Sequence, residues 1–210
     1  MLKNFNYLRS WLFAGLLVGG SEVYAQSMNF DDLPGGTLFG AAAGDAPTDV
    51  VYTRNGIDMA VDSFFLGSFV GFYDAEVEGT YAGAFGSPAL GLDNISVVFT
   101  FPGLGFSVSG LSFDFVEFGG AMNLSINDGP VLQLETFNDL PVSVAPGIIA
   151  EVSSGTMILS APASQIVSLR IGGQELVIDN LTVVPEPVSA VMLAAGSVMF
   201  VLRRYIHRLK

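Results

Sequence analysis

The sequence contains no cysteine, and its single histidine and single tryptophan, His207 and Trp11, lie near opposite ends of the chain. Between residues 26 and 184 the only basic side chains are Arg54 and Arg170. Each shortage removes a chemistry. Without cysteine there is neither a disulfide nor a thiolate nucleophile, and a Ser-His-Asp relay cannot be assembled in the central stretch. No His/Cys set is present there to hold zinc, and no lysine to form a Schiff base. Of the 20 acidic residues only Glu22 and Glu186 fall outside this stretch, so 18 carboxylates face two guanidinium groups, a formal charge of −16. Such a surface repels the phosphates of nucleic acid, which is excluded as a partner. It also disfavours direct cationic recognition of acidic polysaccharides, leaving neutral glycans or anionic ones bridged by divalent cations. A purely solubilising role for the acidity is the simpler alternative.

Helical periodicity is missing as well: no stretch of ten or more residues before residue 185 shows it. The pattern present is that of strands. Ile57-Asp58-Met59-Ala60-Val61-Asp62 alternates apolar and polar residues with period two, as do Phe106–Ser109 and Leu111–Phe115. Runs rich in β-branched and aromatic residues recur at Val50–Thr53, Phe64–Phe72, Ile95–Phe101, Asn123–Ile126, Val131–Leu134, Ile148–Val152, Thr156–Leu159, Ile166–Ile171 and Glu175–Val183. Asn55-Gly56, Pro102-Gly103, Gly119-Gly120, Asn127-Asp128-Gly129, Pro146-Gly147 and Gly172-Gly173 read as the turns between them. About a dozen short strands at this spacing predict an all-β fold, an antiparallel β-sandwich of jelly-roll type, in one domain over residues 26–184. The Gly/Ala/Pro-rich stretch Pro34–Pro47 reads as a long loop.

The two ends carry different signals. Lys3 and Arg9 precede the apolar segment Trp11–Val18, and Val23-Tyr24-Ala25 fits a small-x-small cleavage site before Gln26. Residues 1–25 therefore predict a secretory signal peptide, with a short signal helix, engaging the export translocon and cut between Ala25 and Gln26. Residues 185–210 begin with Pro185-Glu186-Pro187, continue as the uncharged run Val188–Leu202, and end with Arg203, Arg204, Arg208 and Lys210. The prolines keep Glu186 extended and accessible. Fifteen residues make a helix of about 22 Å at roughly 1.5 Å per residue, a transmembrane helix somewhat short of the usual span. Snorkelling terminal arginines extend its reach, and their charge keeps the C-terminus cytoplasmic and the body outside.

This order of triplet, apolar run and basic stop resembles the tripartite tail of PEP-CTERM proteins. The resemblance implies recognition by an exosortase at Pro185, Glu186 and Pro187 with Arg203 and Arg204 as the stop. It further implies anchoring in the inner membrane before processing, then delivery to the cell envelope or an extracellular exopolysaccharide or biofilm matrix. In this sequence the tail runs six residues past Arg204, and His207 and Leu209 dilute the basic block. A plain C-terminal membrane anchor is the rival reading.

The body opens with Asn29-Phe30-Asp31-Asp32-Leu33 and closes with Glu175–Val183, which contains Ile178-Asp179-Asn180. These segments resemble the paired first and last strands of galactose-binding-like and carbohydrate-binding jelly rolls. In several of those folds an acidic residue near the start and one on the last strand help hold a structural calcium ion. The resemblance puts Asp31 or Asp32 together with Asp179 in that role; solvated strand ends are the alternative. Glu76 with Glu78, and Asp58 with Asp62, would share strand faces as paired carboxylates do in glycosidases. Nothing around Glu76 or Glu78 in sequence signals the burial that a catalytic acid needs, so no catalytic residue is assigned and the chain is read as non-enzymatic. Glycan platforms are sparse, since the body lacks tryptophan. Tyr73 and Tyr81, flanking the acidic, Gly-rich segment Asp74–Gly86, are the ligand-binding candidates, and that segment is expected to be a binding loop. The function these features imply is a structural or adhesive matrix protein, with a weak calcium-dependent carbohydrate-binding module as the alternative.

Overall fold

Ile57, Met59 and Val61 are fully buried while Asp58, Ala60 and Asp62 between them are partly exposed, so the alternation read from the sequence is a strand with one face on the core. The computed structural model describes residues 24–79, 85–162 and 164–186. The signal segment up to residue 23, Tyr81, Pro187, the run 188–202, Arg203 and Arg204 lie outside the described residues. In chain order the strands are β1 (Gln26–Met28), β2 (Leu38–Gly40), β3 (Val50–Arg54), β4 (Ile57–Leu66), β5 (Phe69–Gly71), β6 (Asp74–Glu78) and β7 (Ala89–Asp93). They continue with β8 (Ile95–Thr100), β9 (Val108–Ile126), β10 (Leu132–Leu134), β11 (Ser143–Ala145), β12 (Ile148–Ser153), β13 (Thr156–Ser160) and β14 (Ser168–Pro185). A single 3₁₀ turn, Phe137–Asp139, interrupts them, and no α-helix occurs among the described residues.

Every pairing is antiparallel. The main path runs β11-β12-β13-β9-β14-β7-β6-β2; β8 joins β14 to β4, which also pairs with β3 and β5, while β1 pairs with β14 and β10 with β9. The chain is thus an all-β protein built on one large antiparallel sheet. Its two long strands, β9 and β14, pair with one another along almost their whole length, and the register shifts between Gly173 and Leu176.

Those shifts correct the reading of two glycine pairs. Gly119-Gly120 and Gly172-Gly173 do not close hairpins; they bend single strands. Gly120 has φ +74, and a Cβ there would meet the Gln174 side chain at 2.6 Å. A Cβ on Gly173 would lie 2.3 Å from that of Leu176. The chain curls so far that the Ile166 amide donates to the Val108 carbonyl at 2.9 Å while the Glu186 amide donates to the Ser107 carbonyl at 3.0 Å. The entry to β14 and the exit from it therefore meet consecutive residues of the chain. Met59, Val97 and Ile171 from one half and Leu111, Phe113 and Leu159 from the other join a single hydrophobic core.

Two further expectations change. Leu38–Gly40, read as loop, forms the edge strand β2 against β6, with Gly40 packed so closely on the Tyr73 carbonyl that a Cβ would sit 2.4 Å from it. The Phe64–Phe72 run divides at Gly67 into β4 and β5, which pair back on each other.

Candidate functional site

Asp179 is 1% exposed, on β14 where the register with β9 breaks between Asp179 and Thr182. Asn180, next to it, takes φ +53, a conformation Asn tolerates better than most residues. Ser87 Oγ donates to Asp179 Oδ2 at 2.9 Å, whereas Oδ1 is buried and accepts no hydrogen bond. Burial pushes the Asp179 carboxyl above its ordinary range; the Asn180 amide and Ser87 hydroxyl oppose that, and the charges of Asp31 and Asp114 add to it. Asp114 is its cross-strand partner.

Asp31 reaches this neighbourhood because β1 pairs with the end of β14, Met28 opposite Leu181, and the chain continues alongside. Asn29 Nδ2 donates to Asp31 Oδ2 at 2.6 Å, and Asn29 Oδ1 is a second buried oxygen that accepts no hydrogen bond. Asp32 is differently engaged. It accepts from the Tyr52 hydroxyl at 2.6 Å and from Arg54 Nη1 at 2.8 Å. The Tyr52 hydrogen bond, aided by Arg54, holds its carboxyl below the usual range. A cation at Asp32 would face a guanidinium group that already neutralises it. Asp31 lies near enough for its charge to act on Asp179, whereas Asp32 is engaged by Tyr52 and Arg54.

These residues fit a calcium ion in one respect, since two buried oxygens of suitable hardness, Asp179 Oδ1 and Asn29 Oδ1, lack partners. Among the described residues no three His, Cys, Asp or Glu side chains gather to hold a metal. An ion there would draw on Asp31, Asp179, Asn29 Oδ1 and further neutral oxygens.

A second feature lies on β6, β7 and β14. Asp74, Glu76, Glu78, Asp93, Glu175 and Phe118 line an open groove of about 730 Å³. Ala75 and Val77 point into the core, so the three acids of β6 share the opposite face. Burial, and secondarily the neighbouring Glu76, raises the Glu78 carboxyl above its ordinary range. Asp74–Glu78 is therefore a strand and not part of a loop, which corrects the expected binding loop. The shared strand face expected for Glu76 and Glu78 is present, and the Asp-Ala-Glu-Val-Glu alternation is its signal. Tyr73 precedes β6 and is half exposed, with its carbonyl accepting from the Ala41 amide. Tyr81 lies outside the described residues.

The other paired acids are held by cations or hydroxyls. Asp62 pairs with Arg170, whose guanidinium also donates to the Ser63 carbonyl at 3.1 Å and lies over the Phe65 ring. Asp58 accepts from Thr53 Oγ1 at 2.7 Å. Both arginines of the body are thus spent on internal ion pairs.

At the chain ends, Gln26 is the first residue of β1 and sits opposite Val183, with Ala25 exposed beside it. Pro185 closes β14, and its carbonyl accepts from Ser109 Oγ at 3.0 Å. Both termini of the body leave from the same end of β14. Among the described residues no helix is long and apolar enough to cross a membrane. No family model and no curated protein matches this sequence.

Proposed function

We propose that the chain is an exported, non-enzymatic protein of the bacterial cell envelope, sorted through its tail by an exosortase and serving as a structural or adhesive component of an exopolysaccharide matrix. The observation that carries this reading is the attachment of the tail. β14, the strand paired with β1, β7, β8 and β9, runs without a linker into Pro185 and Glu186. Whatever holds or transfers the C-terminus therefore holds the whole core. In this reading the two halves of the bent β9–β14 pair face one another as a jelly-roll-like sandwich, strands switching layers at bends as they do in such folds. The body offers an acidic surface whose two cations are already paired, suited to bridging by divalent ions instead of direct binding to acidic polymers.

The test is the intact mass of the protein from its native cells, with envelope and medium separated. Loss of everything beyond the Pro-Glu-Pro triplet, with or without added glycan mass, supports sorting. A chain ending at Lys210 in the membrane fraction leaves a plain anchor and removes the support for the matrix role.

A calcium-dependent carbohydrate-binding module is the second reading, favoured by the partnerless buried oxygens of Asp179 and Asn29. Calcium bound there would tie β1 to β14 by neutralising Asp31 and Asp179. Glycan retention that disappears on chelation is the result this reading requires.

A further inference from the structure

The end of the body from which the tail departs differs in character from the rest. In a stretch bearing 18 carboxylates, residues 94–113 and 152–169 contain no charged side chain. The loops they supply, 101–107 and 164–167, come together at one end and form an open groove of about 350 Å³ lined by Phe101, Pro102, Phe106, Ile166 and Val167. Val167, in the groove lining, is 55% exposed, and Val184, two residues before Glu186, is 45% exposed. Three acids flank this end: Asp58, hydrogen-bonded to Thr53, Asp128, hydrogen-bonded to Ser168, and the exposed Glu186 at the chain exit.

The chain leaves at the rim of this groove. Ser107, one of its lining residues, accepts from the Glu186 amide, and Ser109 holds the Pro185 carbonyl. The apolar run begins at Val188, two residues on. Two extended residues reach at most about 7 Å. With that run inserted in a bilayer, the end carrying Phe101, Pro102 and Val167 has no room to stand away from the surface.

We infer that, in the anchored protein, the end formed by the uncharged loops 101–107 and 164–167 rests on the lipid bilayer as an interfacial contact. The contact is one of apolar side chains with the headgroup and acyl boundary, and it turns the acidic groove of β6, which lies at the bend in the middle of β14, away from the membrane. Two physical terms favour it. Exposed apolar groups gain by leaving water. A body of charge −16 approaches an anionic leaflet at least cost through its uncharged surface. Processing at the Pro-Glu-Pro triplet would free the same surface.

The inference rests on the reading of residues 188–202 as a membrane span, and the experiment separates the two. The cysteine-free sequence permits single labels in the full chain: Val167→Cys and Pro102→Cys at this end, and Ser68→Cys on the turn after β4, the length of that strand away. Each is labelled with a solvatochromic fluorophore in phosphatidylcholine vesicles carrying nitroxide-labelled lipid. The expected result is blue-shifted emission and about twofold or greater quenching at residues 167 and 102, as for groups buried several ångströms into the interface, and neither effect at residue 68. Extraction of the unlabelled chain from membranes by alkaline carbonate would overturn both the span and this contact. A chain that resists extraction, with all three labels unquenched, overturns the contact alone. Efficient disulfide dimers of Val167→Cys would assign the surface to a second copy of the chain and overturn the lipid assignment.

Discussion

The Glu78 carboxylate lies over the bare backbone of Gly91 on the neighbouring strand: a Cβ at residue 91 would fall 2.5 Å from Glu78 Oε1. The missing side chain lets the acid lie flat in the groove, partly out of water and near Glu76, and burial followed by the Glu76 charge raises its proton affinity.

Gly91→Ala is expected to push the Glu78 side chain outward, since a flexible chain end yields more readily than backbone. Its carboxyl should then titrate closer to the ordinary range, read by carbon-detected NMR of the side chain. The raised folded pKa also fixes a sign. The native state holds this proton more tightly than the unfolded chain, so the contribution of Glu78 to stability is full below the ordinary carboxylate range and is lost as pH rises through the folded value. Glu78→Gln should flatten that part of the stability profile in denaturant titrations at several pH values. An unchanged profile would show that Glu78 is not the group responsible.

Asp179→Asn removes a buried charge with a partnerless oxygen and relieves its repulsion by Asp31 and Asp114. In the presence of a chelator the variant should be more stable than the parent, because the amide carries no charge to desolvate, even though a polar atom without a partner remains in the same place. Calcium should raise the melting temperature of the parent and not that of the variant. If calcium leaves the parent unchanged, the calcium reading is wrong and the buried carboxylate is simply a cost.

The two arginines should behave differently. Arg170 and Asp62 are 21% and 15% exposed, so Arg170→Ala leaves a largely buried carboxylate without its cation and should cost about 3 kcal/mol. Adding Asp62→Asn should recover part of that loss. Arg54 and Asp32 are 29% and 54% exposed, and Arg54→Ala should cost clearly less. Urea unfolding of the three variants orders them.

The bend glycines make the sharpest prediction about the fold. Gly173→Ala forces a Cβ against that of the buried Leu176 and should cost about 3 kcal/mol. Gly44→Ala has φ +86 and nothing within 4 Å of the added atom, so only backbone strain remains, about 1 kcal/mol. Equal losses at the two sites would mean that the β14 bend is not sterically closed.

Much of the strand inventory was legible because period-two alternation is a local property. Ile57–Asp62 and Leu111–Phe115 occupy strands with the predicted inward faces. The acids of the candidate site were legible as residue types and not in their roles. Asp31, Asp32 and Asp179 are equivalent as letters; the arm of Arg54 and the hydroxyl of Tyr52 claim Asp32, and the pairing of β1 with β14 leaves Asp31 near enough for its charge to act on Asp179. The groove was missed because Glu78 is half-buried only through a glycine on a strand thirteen residues away.

The sequence by itself determined what residues 26–184 cannot do for want of thiols, lysine and histidine, their extreme acidity, their preference for strands, and the polarity of the two chain ends. All of these depend on residues taken singly or in short windows. The tertiary structure alone decided that two Gly-Gly pairs bend strands instead of ending them, that one aspartate is buried with an oxygen unsatisfied, and that the uncharged loops gather where the tail departs. Those facts depend on which distant backbones pair, and a glycine pair or an aspartate carries the same local propensity wherever that pairing places it.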